Sequence, residues 1–344
     1  MENALYKNET NQRLLYIDAL NIAACFGVVA LHCTGKVFAF DSSKEWFFSM
    51  FLQALFHFAV PVFFMVTGAT LLNYREKYTT KEFFKKRFHR TVLPFLIWSC
   101  IMLVYQIAIG AMQMHIGPRS FLNLFLNNEI QYIYWFFYTI IGMYLAMPLL
   151  SLLAKKENIK TVKYFLILFF VIRAVFPLIR YFGIQISQFF EVPGIAGYFG
   201  YVLMGWYLNR AVFEKRTRIL FYGAGILSLF LMFFGTYYFS KNDGATNVFF
   251  MDYFSICTMT LSCAVFIFMK HLKYKESNAR VLQLFSRASL GIYLLQMIPI
   301  NELYRRYPSN SIPFVIAEII FIYFTCFIIV AVIQKIPGVR KIFP

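Results

Sequence analysis

Ten predominantly apolar stretches follow one another along the chain, at 15–35, 47–73, 92–113, 131–153, 163–182, 195–209, 219–239, 248–269, 284–300 and 312–334. A helix that crosses a bilayer needs about 20 such residues. A water-soluble fold has too little interior to hide this many large side chains, whereas lipid solvates them directly. Composition agrees: 60% of the 344 residues are hydrophobic, 20% are aromatic and only 14% are charged, against roughly 25% charged in soluble domains. The expected fold is all-α, a polytopic transmembrane bundle of about ten helices. No long polar linker divides the chain, so residues 1–344 read as one membrane domain with no appended soluble domain.

The formal net charge is +17. In a soluble protein such an excess suggests nucleic acid, but here the basic residues sit in short connections between apolar runs. With the N-terminus inside, segments 1–14, 74–91, 154–163, 210–218, 270–287 and 335–344 face inward and hold 25 of the 33 Lys and Arg. The outward segments hold Lys36, Lys44, Arg119, Arg180, Lys241, Arg305 and Arg306, and Arg173 lies within a span. Every inward segment obeys the positive-inside bias. A miscounted helix would invert the pattern downstream of the error, so the charges support ten spans with both termini cytoplasmic. The start of the chain imitates a signal peptide, but Asp18, Asn21 and His32 interrupt its apolar run and no small-residue cleavage site follows, so a retained first helix is expected. The six cysteines have neither metal-ligand nor disulfide-framework spacing.

Ionisable and polar groups inside membrane spans are costly unless partnered, and each is a functional candidate. Asp18, Asn21, Cys25 and His32 are spaced by three, four and seven residues, which places them on one helical face. This stripe is expected to face the bundle interior, with His32 nearer the outer surface. Histidine suits general-base work because its unperturbed pKa is near 6.5; a histidine hydrogen-bonded for packing gives the same pattern. The second run carries Pro61, Phe63, Phe64, Thr67 and Gly68, expected to kink the helix or admit a close neighbour. The basic stretch that follows holds Lys86, Arg87 and Arg90. Arg87 and Arg90 lie three apart on one helical face and have the geometry to fork onto phosphate oxygens; charge that merely sets topology reads identically. His57, Arg173, Gln296 and Glu318 are further polar groups within spans. Gly142, Pro148, Gly205 and Gly291 read as packing positions. The outward acids Asp41, Glu45, Glu129, Glu191, Asp243 and Glu302 are candidates for substrate contact or simple solvation. No phosphate-binding G-x-x-x-x-G-K loop, nucleophile elbow or metal-binding H-E-x-x-H helix is present, so neither a metal nor nucleotide hydrolysis is expected.

Several of these segments together resemble a known family. YIDALNIAACFGVVALHC resembles the first helix of the acyltransferase type 3 family of membrane acyltransferases, whose pattern has an Asp, then an Arg or Lys, then a His after ten intervening residues. VPVFFMVTGATLL resembles its paired-Phe and Thr-Gly helix, and KKRFHRTVLP its Arg-x-x-Arg element followed by Pro. WFFYTIIGMYLAMPLL, GYVLMGWYL and SLGIYLLQ resemble later helices. The likeness covers nearly the whole chain. It departs at Asn21, where the family has a cation, and at Gln296, where relatives often have His.

The resemblance implies a multi-pass enzyme of the bacterial cytoplasmic membrane. Such an enzyme moves an acyl group, commonly acetyl, from cytoplasmic acyl-CoA to a hydroxyl of an envelope or extracellular polysaccharide or a lipid-linked sugar. His32 is then the expected base, alone or through a covalent acyl relay, with Asp18 and Asn21 beside it in the catalytic set. Arg87, Arg90 and Lys86 are expected to bind the CoA phosphates, and Thr67, Glu318 and Arg173 to support the substrates. Two other classes stay open from the residues themselves: a transporter or flippase of a polar or lipid-linked molecule, and an inactive relative with a sensing or scaffolding role.

Overall fold

The structure is a computed structural model that describes residues 2–112, 117–191 and 197–339, with side chains from Leu15 onward. The end of the third expected span at 113, the start of the sixth at 195 and the tail 340–344 lie outside the described residues. No strand occurs among the described residues. The fifteen α-helices there are α1 (Glu2–Cys33), α2 (Lys44–Phe56), α3 (Ala59–Leu71), α4 (Thr80–Arg87), α5 (Leu93–Ala108), α6 (Pro118–Leu126), α7 (Trp135–Leu153), α8 (Ile159–Phe170), α9 (Phe176–Tyr181), α10 (Phe199–Arg210), α11 (Lys215–Asp243), α12 (Ile256–His271), α13 (Ala279–Leu295), α14 (Met297–Arg306) and α15 (Ile312–Ile333).

Eight helices, several of them composite, are long and apolar enough to cross a membrane, and the α13–α14 pair makes a ninth, bent by 53°. The sixth expected span is α10. Its twelve residues rise only about 18 Å at 1.5 Å each, and nine of them are buried. It is therefore an interior helix wrapped by the others rather than a lipid-facing one. The ten expected segments are largely helical over their described residues, and short α6 lies between the third and fourth.

Prolines mark the breaks within the composite spans. A proline brings no N–H to the carbonyl four residues earlier, and its ring crowds that carbonyl. The interruptions at His57–Phe58, Phe88–Val92, Val171–Val175 and Gln296 each precede such a residue: Pro61, Pro94, Pro177 and Pro299. The second and third are π turns, in which the Leu93 N–H bonds the Phe88 carbonyl and the Phe176 N–H the Val171 carbonyl. A π turn absorbs the lost bond by widening the helix by one residue.

The expected inward segments meet at one end of the bundle. There the Trp206 indole donates to Asn73 Oδ1 at 2.8 Å, Arg75 Nε to Ser151 Oγ at 2.9 Å, and Gln334 Nε2 to the Arg287 carbonyl at 3.3 Å. Lys270 Nζ reaches the carbonyls of Leu208 and Ala211 at 2.8 and 2.7 Å. At the far end Thr246 Oγ1 donates to the Val37 carbonyl at 3.0 Å and the Tyr105 hydroxyl to Glu302 Oε1 at 3.0 Å. Between these ends α3 and α10 touch backbone to backbone. A Cβ on Gly68 would strike the Val202 carbonyl, and one on Gly205 the Met65 carbonyl. Small residues admit this approach in membrane bundles. Gly142 is different, because a Cβ there would meet nothing.

Candidate functional site

The polar stripe of α1 faces α13. Asn21 Nδ2 donates to Ser286 Oγ at 3.3 Å, Cys25 Sγ lies 3.5 Å from the Ser289 carbonyl, and His32 has Gln296 as its polar neighbour. Asp18 interacts with Ser286 and feels the charge of Arg287. One helical face thus meets four positions along α13 and its end, and the break at Gln296 brings its amide to the level of the imidazole.

The helix also separates these residues. His32 stands fourteen positions from Asp18 and eleven from Asn21, roughly 21 and 16 Å along the axis. Two cavities lie along this length. The larger, about 1050 Å³, is at the basic end, and its lining includes Asn21, Thr67, Arg87, Arg90, Ser286 and Arg287. The smaller, about 540 Å³, is at the far end, and its lining includes His32, Lys36, Asp41, Glu45, Asn301 and Glu318. Asp18 lines neither cavity. Its distance excludes it as the group that orients the His32 ring.

At the basic cavity, Arg87 ends α4 and Arg90 belongs to the π turn that follows. The capping box of Thr79 and Glu82 fixes the start of α4, and the turn before Pro94 carries Arg90 to the same lining as Arg87. The Arg87 guanidinium lies 5.8 Å from the Phe83 ring and 5.7 Å from the Tyr144 ring, and its buried Nε has no hydrogen-bond partner among the described residues. A planar cation held by rings in a cavity lining suits an anionic ligand. Lys86 points elsewhere: it is exposed and its Nζ sits 3.8 Å over the Tyr78 ring. Thr67 donates to the Phe63 carbonyl at 2.9 Å, which leaves its oxygen free to accept. His89 lines the same cavity.

At the far cavity, His32 meets the rings of Tyr132 and Tyr293 edge-on, with centroids at 6.4 and 6.3 Å. Its Nδ1 is buried without a partner among the described residues. Tyr132 lines the far cavity and Tyr293 the basic one. The Tyr293 hydroxyl donates to the Ile133 carbonyl, and its ring packs on Phe136 and Phe137 at 5.5 and 5.6 Å. Through this ring contact a residue lining the basic cavity stands against the imidazole that lines the far one.

Arg173 and His57 lie outside both cavities. The Arg173 guanidinium is 4.2 Å over Phe254, and no carboxylate makes a salt bridge with it among the described residues. His57 stacks on Tyr253 at 4.8 Å. Among the outward acids, Asp41 and Glu45 reach the far cavity, whereas Glu191 pairs with Arg180 and Glu302 with Arg305 and Arg306. Sequence reasoning missed Ser286 and Arg287, the second counting there only as one more inward charge. The signal was present: Ser289 follows Ser286 by three residues and Gln296 follows Ser289 by seven, helical spacings that put a second polar stripe on one side of α13, with Arg287 beside it.

No curated protein and no solved structure matches the chain. A family model described as an acyltransferase domain matches residues 14–334, a span that contains every residue lining either cavity. The chain belongs to that family, the acyltransferase type 3 family, and is a membrane acyltransferase.

Proposed function

We propose that this enzyme moves an acyl group, acetyl in the first instance, from cytoplasmic acyl-CoA to a hydroxyl of an envelope or extracellular glycan, at the bacterial plasma membrane. The observation that carries the reading is the pair of cavities that approach each other at His32 and Tyr293. The basic cavity, at the upper end of the usual size for small-molecule sites, offers Arg87, Arg90 and Arg287 to the phosphates of CoA. Positive-inside logic puts that end in the cytoplasm, where acyl-CoA is found. The far cavity then receives the acceptor from outside.

In this scheme His32 takes the proton of the acceptor hydroxyl. The oxygen attacks the thioester carbonyl, the C–O bond forms, the C–S bond breaks, and the proton goes to the departing sulfur to give free CoA thiol. Asn21 and Thr67 shape the donor cavity, and Asp18 balances the charge of Arg287, while none of the three is near the reacting atoms. Glu318 belongs with the acceptor, and Arg173 and Lys86 have no part in either pocket.

The test uses the protein in lipid nanodiscs with acetyl-labelled acetyl-CoA and envelope glycan. Label should move to alkali-labile ester with release of one thiol per ester. His32→Ala should remove this transfer, by roughly 10²–10⁴-fold for a general base, in a protein that still folds. Transfer at the wild-type rate by that variant would refute the assignment.

A further inference from the structure

The far cavity has a charge pattern that the transfer reaction alone does not require. Its charged lining consists of the carboxylates Asp41, Glu45 and Glu318 against one ammonium, Lys36. That ammonium is already engaged: Lys36 Nζ donates to Asn310 Oδ1 and lies 4.2 Å from the Tyr304 ring centroid. Partial burial also pulls its pKa below the usual lysine range, opposed by Glu318. The carboxylates are not equally engaged. Asp41 accepts the Ser43 backbone N–H at 3.1 Å, and Glu45 sits in the first turn of α2, where the helix dipole favours an anion.

Glu318 is the exception. It is 9% exposed, on a helix of otherwise apolar, hydroxyl and thiol side chains, yet it makes no hydrogen bond or salt bridge among the described residues. Its only charged neighbour there is Lys36, beyond ion-pair distance. Its oxygens are not among the sealed, unpartnered atoms, so they open on the cavity that it lines, and a carboxyl at that depth is costly unless it accepts hydrogen bonds from what enters there. Tyr132, 64% exposed in the same lining, offers an aromatic face to the C–H face of a sugar ring.

Resting on the acyltransferase reading above, we propose that the far cavity selects an acceptor rich in hydrogen-bond donors and free of negative charge, a neutral or amino sugar unit, and that Glu318 receives its hydroxyl or ammonium group. A uronate or phosphorylated unit would bring its own anion against three carboxylates with no uncommitted cation to offset them. Like charges so placed repel.

Binding is measured first, without donor, by the change in tryptophan fluorescence of the nanodisc-held enzyme on adding neutral gluco-oligosaccharide, chitosan oligosaccharide or oligogalacturonate. The neutral and amino oligomers should bind at least tenfold more tightly than the uronate. Glu318→Gln should weaken the amino oligomer at least tenfold, and Glu318→Asp should recover part of that loss. Transfer assays on the same variants should show a raised acceptor KM with an unchanged acyl-CoA KM. Equal or tighter binding of the uronate, binding of none of the three, or a Glu318→Gln enzyme with unaltered acceptor binding would overturn the proposal. If the sugars bind as expected but no acyl group is ever transferred, the acceptor site stands and the acyltransfer reading fails.

Discussion

Arg87 offers the sharpest test of the donor cavity, because its neighbour Lys86 supplies a control of equal charge one residue away. Arg87→Ala removes a guanidinium held between Phe83 and Tyr144 with an unpaired buried Nε. A hydrogen bond to a charged group contributes about 1.5–3 kcal/mol. On the proposed reading, losing one such contact with a CoA phosphate raises the acyl-CoA KM by roughly 10- to 150-fold, at 1.4 kcal/mol per decade. The contact is made equally in ground and transition states, so kcat at saturating donor should hardly move. Arg87→Lys keeps the charge without the fork and should fall between. Lys86→Ala deletes the same charge from the same side of the membrane, but from a side chain that rests on Tyr78 outside the cavity, and its KM should match wild type. Initial rates against acyl-CoA concentration in nanodiscs give all four values. If Lys86→Ala and Arg87→Ala raised KM alike, or neither did, the arginines would only set topology and the phosphate assignment would be wrong.

Three further outcomes follow from the packing. Gly205→Ala forces a methyl into the Met65 carbonyl, and overpacking of this kind costs about 1–3 kcal/mol; thermal unfolding in detergent should drop by several degrees, while Gly142→Ala, which meets open space, should leave it unmoved. Tyr293→Ala should merge the two cavities and raise acceptor-independent thiol release from acyl-CoA several-fold, and an unchanged rate would mean that another group forms the partition. Arg287→Ala combined with Arg87→Ala should show a non-additive effect on donor KM, because both would grip one ligand; strict additivity would place them on separate ligands.

Much of this architecture is legible in the residues. Apolar run length marks the long helices, though not the short α4 and α6, and the clustering of Lys and Arg in alternate connections marks one end of the bundle. The stripe Asp18, Asn21, Cys25 and His32 declares its buried face through helical period alone. What period cannot supply is the partner across the gap. Nothing local to α1 says that it meets Ser286, Ser289 and Gln296, because that pairing joins segments some 265 positions apart. Arg287 hides for the same reason: a cation lining a cavity and a cation setting topology look alike until the neighbouring helix is in place. Lys86 is the converse case. One residue from Arg87 means a turn of about 100°, enough to move its charge from the cavity to the surface ring of Tyr78.

Axial distance decides how the stripe is read. Grouping Asp18, Asn21 and His32 as one catalytic set follows from their shared face, but a shared face says nothing about depth. At 1.5 Å per residue the set stretches over most of the roughly 30 Å hydrocarbon thickness, so no single substrate atom meets all three. Within the stripe Asn21 lines one cavity and His32 the other, where the Tyr293 ring meets the imidazole. On the proposed reading that division is what an enzyme needs when donor and acceptor arrive from opposite sides of a membrane: each end would recognise its own substrate by charge, cationic for the donor and acidic for the acceptor, and the chemistry would fall to the one histidine placed where the two spaces approach.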